Sequence, residues 1–441
     1  MRFFRTQRDG GDVLLEQTGR AASHLTDEHA VVYALPPYDS ADEHMTDTAL
    51  TEVAGPVDMS GGWFDAGDFL KFTHTTSYVV GQMLTAVRDT PPVPGLLAEA
   101  EHGLDWLDRM WDGPDDVLYP QVGLGSGNAR LRGDHDVWRL PEEDDALSVR
   151  PGDPDHLVKY RPVFRANTPG EPVTPNLAGV SWRDDMEWAA MELACAAREL
   201  GDERSARWQR EAAGWAKAYL RSDERSTLDV WDVSALAHAD LLSSPGLDED
   251  TRHTLEADLR RQLAHGTRQA ARDPFGAGVV LIECDAVPRA FGLVATAGLY
   301  ARATGDHRYD AFAARQRGWV FGANAWGTSF VIGVGQTYPH CPEHQVANLA
   351  MSHTRRGDIL RGAVVNGPNK ADLLGGLERL DGMRRCSAEL SGHRWSDFDG
   401  RDAGYVDDVA AWQTVEPADD FTATALLALS LIADAAVTAQ R

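Results

Sequence analysis

The chain has 441 residues, of which 43% are hydrophobic and 25% charged, a globular composition that excludes disorder over most of its length. Its 68 acidic residues outnumber its 42 basic residues, which gives a net charge of −26. A chain this acidic repels phosphate backbones and anionic lipid surfaces, so we expect neither nucleic acid nor a membrane as its partner. Neutral ligands such as sugars stay compatible with this charge.

Helical periodicity dominates the chain. Apolar residues recur at helical spacing in segments 77–88, 97–111, 184–200, 203–220, 232–242, 248–265, 288–304, 307–321 and 419–439. Strand-like runs are short and rare, at 279–282 and 329–334. Neither a linker nor a repeat period of roughly 33–47 residues divides the sequence, so we predict a single all-α domain over residues 1–441, with about twelve helices in two concentric rings.

Segment 112–181 differs from the rest of the chain because it is weakly periodic and rich in Pro, Gly, Asp and Arg. A loop of this length inside a compact domain is usually functional or disordered. Trp138 lies within the segment and Trp182 follows it. We therefore predict a structured loop that lines a cleft.

The N-terminal segment and the cysteines bear on the cellular setting. Residues 1–8 carry charge and lack the apolar run of a signal peptide, and no stretch approaches the roughly 18 apolar residues of a membrane helix. We expect a cytoplasmic protein, or a secreted one whose leader has been removed. CxxC spacing is absent, which predicts buried free thiols rather than a disulfide scaffold or a zinc cluster at Cys195, Cys284, Cys341 and Cys386.

The densest chemical signal is segment 58–72, which reads DMSGGWFDAGDFLKF. Asp65 and Asp68 lie three residues apart, with glycines that let the backbone approach a ligand and aromatic residues on both sides. Two close carboxylates can hold and deprotonate one water molecule. The alternative interpretations are an Asp-Gly turn and a calcium-binding loop.

A second signal lies at 405–417, just before the last predicted helix. Glu416 follows Val415 there, and a carboxyl group in an apolar pocket has the raised pKa that a general acid needs at neutral pH. The alternative is an acid at a helix N-terminus, which interacts favourably with the helix dipole and has no catalytic meaning.

The third signal is the glycine-rich segment 322–335, followed by His340 and His344. Its glycines, its tryptophan and the two histidines are typical of a binding loop. The histidines could bind a metal together with Cys341 or Glu343, but Pro342 disfavours a helical pair of metal ligands. Hydrogen bonding to a sugar and a purely structural use are the stronger interpretations.

At these three places the sequence resembles glycoside hydrolase family 9, a family of inverting β-1,4-glucanases (cellulases). Segment 61–68, GGWFDAGD, is similar to the family signature Gly-Gly-Trp-aromatic-Asp-Ala-Gly-Asp. Segment 326–331 is similar to the loop that precedes the family's Pro-His-His-Arg motif, and segments 185–188 and 232–238 also resemble its members. The spacing of the family's Tyr-x-Asp…Thr-Asn-Glu segment is matched by Tyr405, Asp407, Thr414 and Glu416.

The resemblance implies a fold and a set of roles. It implies an (α/α)6 barrel whose long loops form an open cleft across one end. Asp68 matches the catalytic base, Asp65 its partner in positioning water, and Glu416 the general acid. In such an inverting mechanism the acid and base carboxyl groups lie ~6.5–9.5 Å apart, to leave room for the water. The chemistry requires no cofactor.

The chain departs from the family pattern in several places. Glu343, His344 and Gln345 stand where the family usually has His-His-Arg, and Gln345 lacks the forked cationic donor of arginine. Some relatives carry a zinc site near the N-terminus, but the matching residues here, Asp9 and 22–24, lack thiolates, so we expect no zinc. Structural calcium occurs in the family, and its ligands cannot be assigned from this sequence.

Residues 1–9 resemble the start of the family's catalytic domain. We therefore expect neither the N-terminal immunoglobulin-like module of related members nor a separate binding module.

Thirteen tryptophans suit a sugar-binding cleft. Three lie on helical patterns and are predicted to pack in the core, namely Trp208, Trp215 and Trp319. Four lie in the loop motifs and are predicted to face the cleft, namely Trp63, Trp138, Trp326 and Trp412. We predict further contacts to substrate from Tyr405, His340 and His344.

Together these features predict an inverting glycoside hydrolase that acts on β-1,4-linked glucan, as soluble or amorphous chains or as oligosaccharides. One alternative is an exo-acting intracellular β-glycosidase such as a β-glucosaminidase, favoured by the altered His-His-Arg region. Another is a non-catalytic carbohydrate-binding relative, which would have no need of Asp65, Asp68 and Glu416 together.

Overall fold

The computed structural model describes residues 1–34, 38–39, 44–45, 50–124, 134, 137–144, 163–165, 182–223, 225–354, 359–386 and 395–438. In this part of the chain the α-helices are α1 (Arg2–Gln7), α2 (Leu15–Thr18), α3 (Thr73–Asp89), α4 (Leu96–Arg109), α5 (Pro141–Asp144), α6 (Arg183–Glu199), α7 (Ser205–Tyr219), α8 (Ser234–Ser243), α9 (Glu249–Ala270), α10 (Ala286–Thr304), α11 (Asp310–Val320), α12 (Gln345–Thr354), α13 (Trp412–Val415) and α14 (Asp419–Thr438). Single 3-10 turns occupy Leu25–His29, Ala371–Leu374 and Trp395–Phe398.

The nine helices predicted from periodicity are confirmed as α3, α4, α6 to α11 and α14. The largest difference is at α9, which continues to Ala270 rather than ending at residue 265. Its N-terminus is capped by the carboxylate of Asp248, which accepts the backbone N–H of Thr251 at 2.9 Å. Helical spacing of apolar residues is therefore a reliable guide to this fold.

The long helices form two layers. Helix α14 packs against α3 and α10, and α8 packs against α6 and α10. Except for α14, which is the last helix, each of these helices carries a neighbour that follows it in the chain: α4 packs on α3, α7 on α6, α9 on α8 and α11 on α10. Helix α10 is apolar and buried over most of its circumference, as an inner helix must be, whereas α11 buries a single face.

The inner helices begin at the same end of the molecule. The backbone N–H of Asp419, at the start of α14, donates to the carbonyl oxygen of Asp65, in the loop before α3, at 2.8 Å. His74, at the start of α3, stacks on Trp231, in the loop before α8, with ring centroids 5.0 Å apart. Arg289, in the first turn of α10, forms an ion pair with Asp229 at 3.3 Å.

A small β-sheet, which the sequence did not indicate, lies beside these loops. The described strands are β1 (Ala30–Ala34), β2 (Tyr38–Asp39), β3 (His44–Met45), β4 (Glu52–Val57), β5 (Lys71–Phe72), β6 (Trp111–Asp112), β7 (Val117–Leu118), β8 (Gln121–Val122), β9 (Val163–Arg165), β10 (Asn369–Lys370) and β11 (Ala403–Gly404). Five of them form a sheet in the order β4-β1-β9-β8-β5, in which β1 and β9 are parallel and the other neighbours antiparallel.

Two strand predictions are wrong. Segment 279–282 forms a turn, and segment 329–334 makes only isolated bridges, Phe321 to Ser329 and Val331 to Val364. Both runs are loops that bury some of their apolar residues, such as Val279 and Phe330, and expose others, Ile282 and Val334. Short apolar runs of this kind carry no period that separates a strand from a loop. The predicted cleft-lining loop 112–181 is described only in part, as β6 to β9, α5 and the residues around them, and the rest lies outside the described residues.

The prediction for the cysteines is also wrong. Cys341 and Cys386 form a disulfide with their Cα atoms 5.8 Å apart. Of the two free thiols, Cys195 is half-buried and Cys284 is exposed. Bonding between residues 45 positions apart depends on the folded path of the chain, which cysteine spacing does not reveal.

A buried ammonium group ties the N-terminal segment to the loop before α3. The side chain of Lys71, on β5, is fully buried, and its Nζ lies 3.0 Å from Asp9 Oδ2 and 3.1 Å from Asp27 Oδ2. It also donates to the carbonyl oxygens of Met59 and Gly61, at 3.0 and 2.9 Å. The cation thus fixes the start of the segment that contains Asp65 and Asp68.

Candidate active site

Three acidic side chains meet where α3 and α14 begin. The backbone N–H of Gly67 donates to Glu416 Oε1 at 3.3 Å, which puts the Glu416 carboxyl group against the loop between Asp65 and Asp68. The two partners are 349 positions apart in the chain. Asp65, Asp68 and Glu416 are each half-buried, and one carboxyl oxygen of Asp65, Oδ1, is fully buried.

The loop that carries Asp65 and Asp68 closes on itself. The N–H of Asp65 donates to the carbonyl oxygen of Leu70 at 2.8 Å, and the N–H of Leu70 donates to Asp68 Oδ1 at 3.0 Å. The second bond is an Asx-type turn, in which the aspartate holds its own backbone two residues on. One oxygen of Asp68 is therefore used to shape the loop.

Segment 343–345 holds the two halves of the site together. The N–H of Gln345 donates to the carbonyl oxygen of Gly67 at 2.7 Å, and the N–H of Glu343 donates to the carbonyl oxygen of Val415 at 3.2 Å. The same segment is anchored from behind, because Asp407 accepts the N–H groups of His340 and Cys341 at 2.8 and 2.9 Å.

His344 orients this segment rather than a substrate. Its ring is buried, with Nε2 2.7 Å from Gln7 Oε1, while Nδ1 accepts the N–H of Ala347 at 3.3 Å. The proton consequently lies on Nε2. The pKa of His344 is lowered to about 3. Burial is the largest cause and Arg20 adds to it, while the charge of Asp68 opposes both, so the ring is neutral.

Gln7 connects His344 to the loop that carries Asp65 and Asp68. Its side-chain amide donates to the carbonyl oxygens of Phe64 and Ala66, at 3.1 and 2.7 Å, on either side of Asp65. The prediction that His344 contacts substrate is therefore wrong, since the ring is fully engaged in supporting the loop.

Asp65 has an unusual electrostatic environment. The pKa of Asp65 is raised to about 7. Burial is the largest cause, and the charge of Asp68 also raises the pKa, whereas interactions with the side chains of Thr75 and Asp419 lower it.

Three aromatic residues predicted to bind substrate are buried instead. Trp63 is fully buried beneath the loop, and its indole N–H donates to Glu99 at 3.1 Å. Trp138 is 4% exposed and packs against Leu349 and Val409. Tyr405 has no exposed surface. A buried ring offers no face to a sugar, so the prediction that these residues contact substrate is wrong.

Trp326 is also a core residue. It is 5% exposed, packs against Phe330 and Tyr405, and donates its indole N–H to Asp399 at 3.0 Å. The prediction that it faces the cleft is wrong, because the glycines beside it made the segment look like an open loop. Among the tryptophans predicted to be core, Trp319 is buried, whereas Trp208 and Trp215 are half-buried on α7.

Two predicted binding residues do reach the surface. Trp412, in the first turn of α13 and four residues before Glu416, is 41% exposed. His340 is half-buried and stacks on Tyr338, with ring centroids 4.4 Å apart. Both remain predicted substrate contacts.

Trp231 is a further candidate that the sequence analysis missed. It is 37% exposed, in the loop before α8, and stacks on His74 next to the acid-bearing loop. Its N–H donates to Asp229 Oδ1 at 2.8 Å, which fixes the backbone of the loop. The sequence signal that could have identified Trp231 is its place in a loop before a predicted helix, since Asp65 and Glu416 also lie in loops before predicted helices.

In the described part of the chain, no group of three or more His, Cys, Asp and Glu side chains could hold a metal ion. In the same part, no helix is both long and apolar enough to cross a membrane.

A double ring of helices with acids that converge at one end is the architecture of a class of carbohydrate-active proteins. Comparison with known proteins identifies the family. The model for glycosyl hydrolase family 9 matches residues 1–181 and 178–429, so the chain belongs to that family. Endoglucanase 2 of Oryza sativa subsp. japonica is 23% identical over 407 residues, which cover 72% of this chain and 62% of the rice protein. Endoglucanase 14 of Arabidopsis thaliana is 22% identical, over 74% of this chain and 80% of its own length.

Solved structures show the same fold. The crystal structure of the family 9 endoglucanase J30 superposes with a TM-score of 0.66 at 21% identity, covering 98% of this chain and 83% of J30. The structure of AaCel9A in complex with cellobiose-like isofagomine superposes with a TM-score of 0.64 at 19% identity, over 98% of this chain and 83% of its own. The predicted (α/α)6 barrel is thereby confirmed.

Proposed function

We propose that this protein is an inverting glycoside hydrolase that cleaves β-1,4-glucosidic linkages in cellulose-like glucans or oligosaccharides. The observation that carries the proposal is the bond from Gly67 N–H to Glu416 Oε1, which brings the proposed acid to the loop of the two proposed bases. Membership of glycosyl hydrolase family 9 supports the same assignment.

Each acid has a separate task in the proposed reaction. Glu416 protonates the glycosidic oxygen as the bond breaks, and Asp68 removes a proton from the attacking water on the opposite face of the ring. Asp65 holds that water. Carboxyl groups carry both proton transfers, so the reaction needs no cofactor.

Substrate binding is assigned to the exposed aromatic faces at this end of the barrel. Trp231 and Trp412 are 37% and 41% exposed. An indole face matches the apolar CH face of a glucose ring, while hydroxyl groups at the ring edge reach side-chain donors and acceptors. Because the Gln345 side chain is buried, donates to the carbonyl oxygen of Asp134 and accepts the N–H of Arg139, it cannot replace the arginine of the family motif as a donor to substrate. We therefore propose short or soluble chains as substrates.

The stereochemistry tests this mechanism directly. Proton NMR during the first turnovers on a cello-oligosaccharide should show the α anomer of the new reducing end before mutarotation mixes the signals. A β anomer as first product would rule out direct attack by water. Binding without turnover across a broad glycan panel would instead favour a non-catalytic carbohydrate-binding protein.

A second candidate is an exo-acting hydrolase of amino sugars, such as a β-glucosaminidase. Glu343, which stands where the family usually has histidine, is buried, with its carboxyl group near Gly67. An additional carboxyl group beside the three acids favours a cationic sugar over a neutral one. Product sizes from matched chito- and cello-oligosaccharides separate the two candidates, since the amino-sugar hydrolase would release monosaccharides from the chito series.

A further inference from the structure

Asp419 is a fourth acid in direct contact with the site. It is the first residue of α14, three positions after Glu416, and its side chain is fully buried. Its backbone N–H donates to the carbonyl oxygen of Asp65 at 2.8 Å, which brings the two carboxyl groups close enough to influence each other's pKa. The backbone bond fixes the distance between the two residues, so the proximity of the two side chains is a built feature of the fold.

A hydrogen bond between two carboxyl groups requires a proton on one of them. Asp65 Oδ1 and Asp419 Oδ2 are buried, and within the described part of the chain neither accepts a hydrogen bond from an N–H or O–H group. Asp419 Oδ1 already accepts the N–H of Asp420 at 2.7 Å. The oxygen of Asp419 that can carry the proton is therefore Oδ2.

The proton belongs to Asp419 rather than to Asp65. Asp65 is half-buried and Asp419 has no exposed surface, so a charge is more costly on Asp419 than on Asp65. Burial, followed by the nearby charges of Asp65 and Asp420, raises the pKa of Asp419 well above its ordinary range. Asp420 in turn faces Asp285 and Asp229, and the cation on this side, Arg289, forms its ion pair with Asp229 at 3.3 Å.

We propose that Asp419 is a positioning residue that stays protonated and donates a hydrogen bond to the carboxylate of Asp65, holding it ionised and oriented toward the attacking water. This inference rests on the proposed function, in which Asp65 holds that water. The competing explanation is that Asp419 merely places an acid in the first turn of α14, where the helix dipole favours it.

Two substitutions distinguish these explanations. Asp419→Asn keeps an N–H donor toward Asp65, and Asp419→Leu removes it at similar volume. A hydrogen bond to a charged group is strong enough to shift a pKa by about one unit. For Asp419→Leu we expect the acidic limb of the pH profile of kcat/KM to move upward by about one pH unit, with kcat at pH 6 reduced about tenfold and KM little changed. For Asp419→Asn we expect the limb to stay near that of the wild type.

Asp250→Leu is the matched control, because Asp250 is an exposed acid in the first turn of α9 and should leave the pH profile unchanged. Thermal melting checks that each variant folds. If the Leu and Asn variants at position 419 show the same pH profile, or if Asp419→Leu keeps the wild-type limb, Asp419 has no positioning role.

An infrared spectrum of the ligand-free protein tests the shared proton without any activity. At pH 8, above the pKa of about 7 of Asp65, the wild-type spectrum minus the Asp419→Asn spectrum should show a carboxylic-acid C=O band, and the corresponding difference for Asp65→Asn should lack it. Loss of the band in Asp65→Asn alone would place the proton on Asp65 and overturn the proposal. If the wild type hydrolyses no glycan, the proposed function fails, and the infrared result still decides the proton assignment.

Discussion

Gly67 contributes to the site through both of its backbone polar groups and through its lack of a side chain. Its N–H binds Glu416 and its carbonyl oxygen accepts from Gln345. A Cβ at this position would lie 2.5 Å from Glu343 Oε2 and closer still to the carbonyl oxygen of Glu343. The glycine is thus required by the close approach of another chain segment rather than by its own backbone angles.

Gly67→Ala should therefore displace segment 343–345 or the acid-bearing loop. A misplacement of about 1 Å at reacting groups costs about a hundredfold in rate, so we expect kcat on a cello-oligosaccharide to fall by roughly that factor. The matched control is Gly376→Ala, because a Cβ at Gly376 meets nothing within 4 Å. Equal activity of the two variants would show that the approach of Glu343 is not needed for catalysis.

Trp231 supports a prediction about binding. Trp231→Ala should raise KM for cello-oligosaccharides about tenfold with a smaller change in kcat, because a lost aromatic face is worth about 1.4 kcal/mol when it contacts the bound sugar. The control is Leu200→Ala, which removes an 84% exposed apolar side chain at the other end of the barrel. An unchanged KM for Trp231→Ala would remove Trp231 from the substrate site.

At this scale, the sequence predicts the acids better than their surroundings. Asp65, Asp68 and Glu416 are recognisable because small and aromatic neighbours set them apart. Burial is not encoded so locally: Trp63 and Trp326 sit in glycine-rich loops and are nevertheless in the core. The contact between Asp419 and Asp65 could not be predicted, because an acid in the first turn of a helix is ordinary and only the fold places it beside Asp65.

Strand β5 shows how a two-residue element can anchor a site. Lys71 on this strand is the buried cation between Asp9 and Asp27, and removal of one partner from a buried ion pair usually costs about 3–5 kcal/mol because the remaining charge is uncompensated. We expect Lys71→Met to lower the free energy of unfolding in urea by about that amount.

Lys370, on the similarly short strand β10, provides the control. It is 49% exposed and forms an ion pair with Asp372 at 3.5 Å, so Lys370→Met should cost no more than about 1 kcal/mol. Comparable losses in the two variants would mean that the buried Lys71 cluster does not hold the N-terminal segment in place.

Among the elements, length decides what the sequence predicts. The nine long helices repeat their apolar pattern several times, so their positions are evident. Strands such as β5 and β8 contain two residues each and cannot show a period at all. The five-stranded sheet and the bond between Cys341 and Cys386 both depend on contacts between distant segments, which local patterns do not contain.

The whole molecule concentrates buried acids at the ends of its inner helices. Burial is the leading cause that raises the pKa of Asp65 and Asp229 to about 7 and of Asp184 to about 8. Between the ordinary aspartate pKa and these values, the folded protein binds more protons than the unfolded chain. The free energy of unfolding must therefore fall as the pH rises through this window.

We expect the protein to be more stable at pH 5 than at pH 8, by at least about 2 kcal/mol in urea denaturation. The neutral, buried His344 acts in the opposite direction, because the unfolded chain gains a proton there below pH 6.5. The three raised carboxyl groups outweigh this single histidine, and the net charge of −26 adds self-repulsion at high pH. A free energy of unfolding that is constant or rises from pH 5 to pH 8 would contradict this account of the buried acids.

The central claim is that Glu416 donates the proton to the leaving oxygen at a site shared with Asp65 and Asp68. The most direct test is the rate of Glu416→Gln on two substrates, a cello-oligosaccharide and an aryl cellobioside whose leaving group needs no protonation. The account predicts a loss of about 10²–10⁴ in kcat on the cello-oligosaccharide and a much smaller loss on the aryl substrate, with an unchanged melting temperature. Wild-type rates of Glu416→Gln on the cello-oligosaccharide would contradict it.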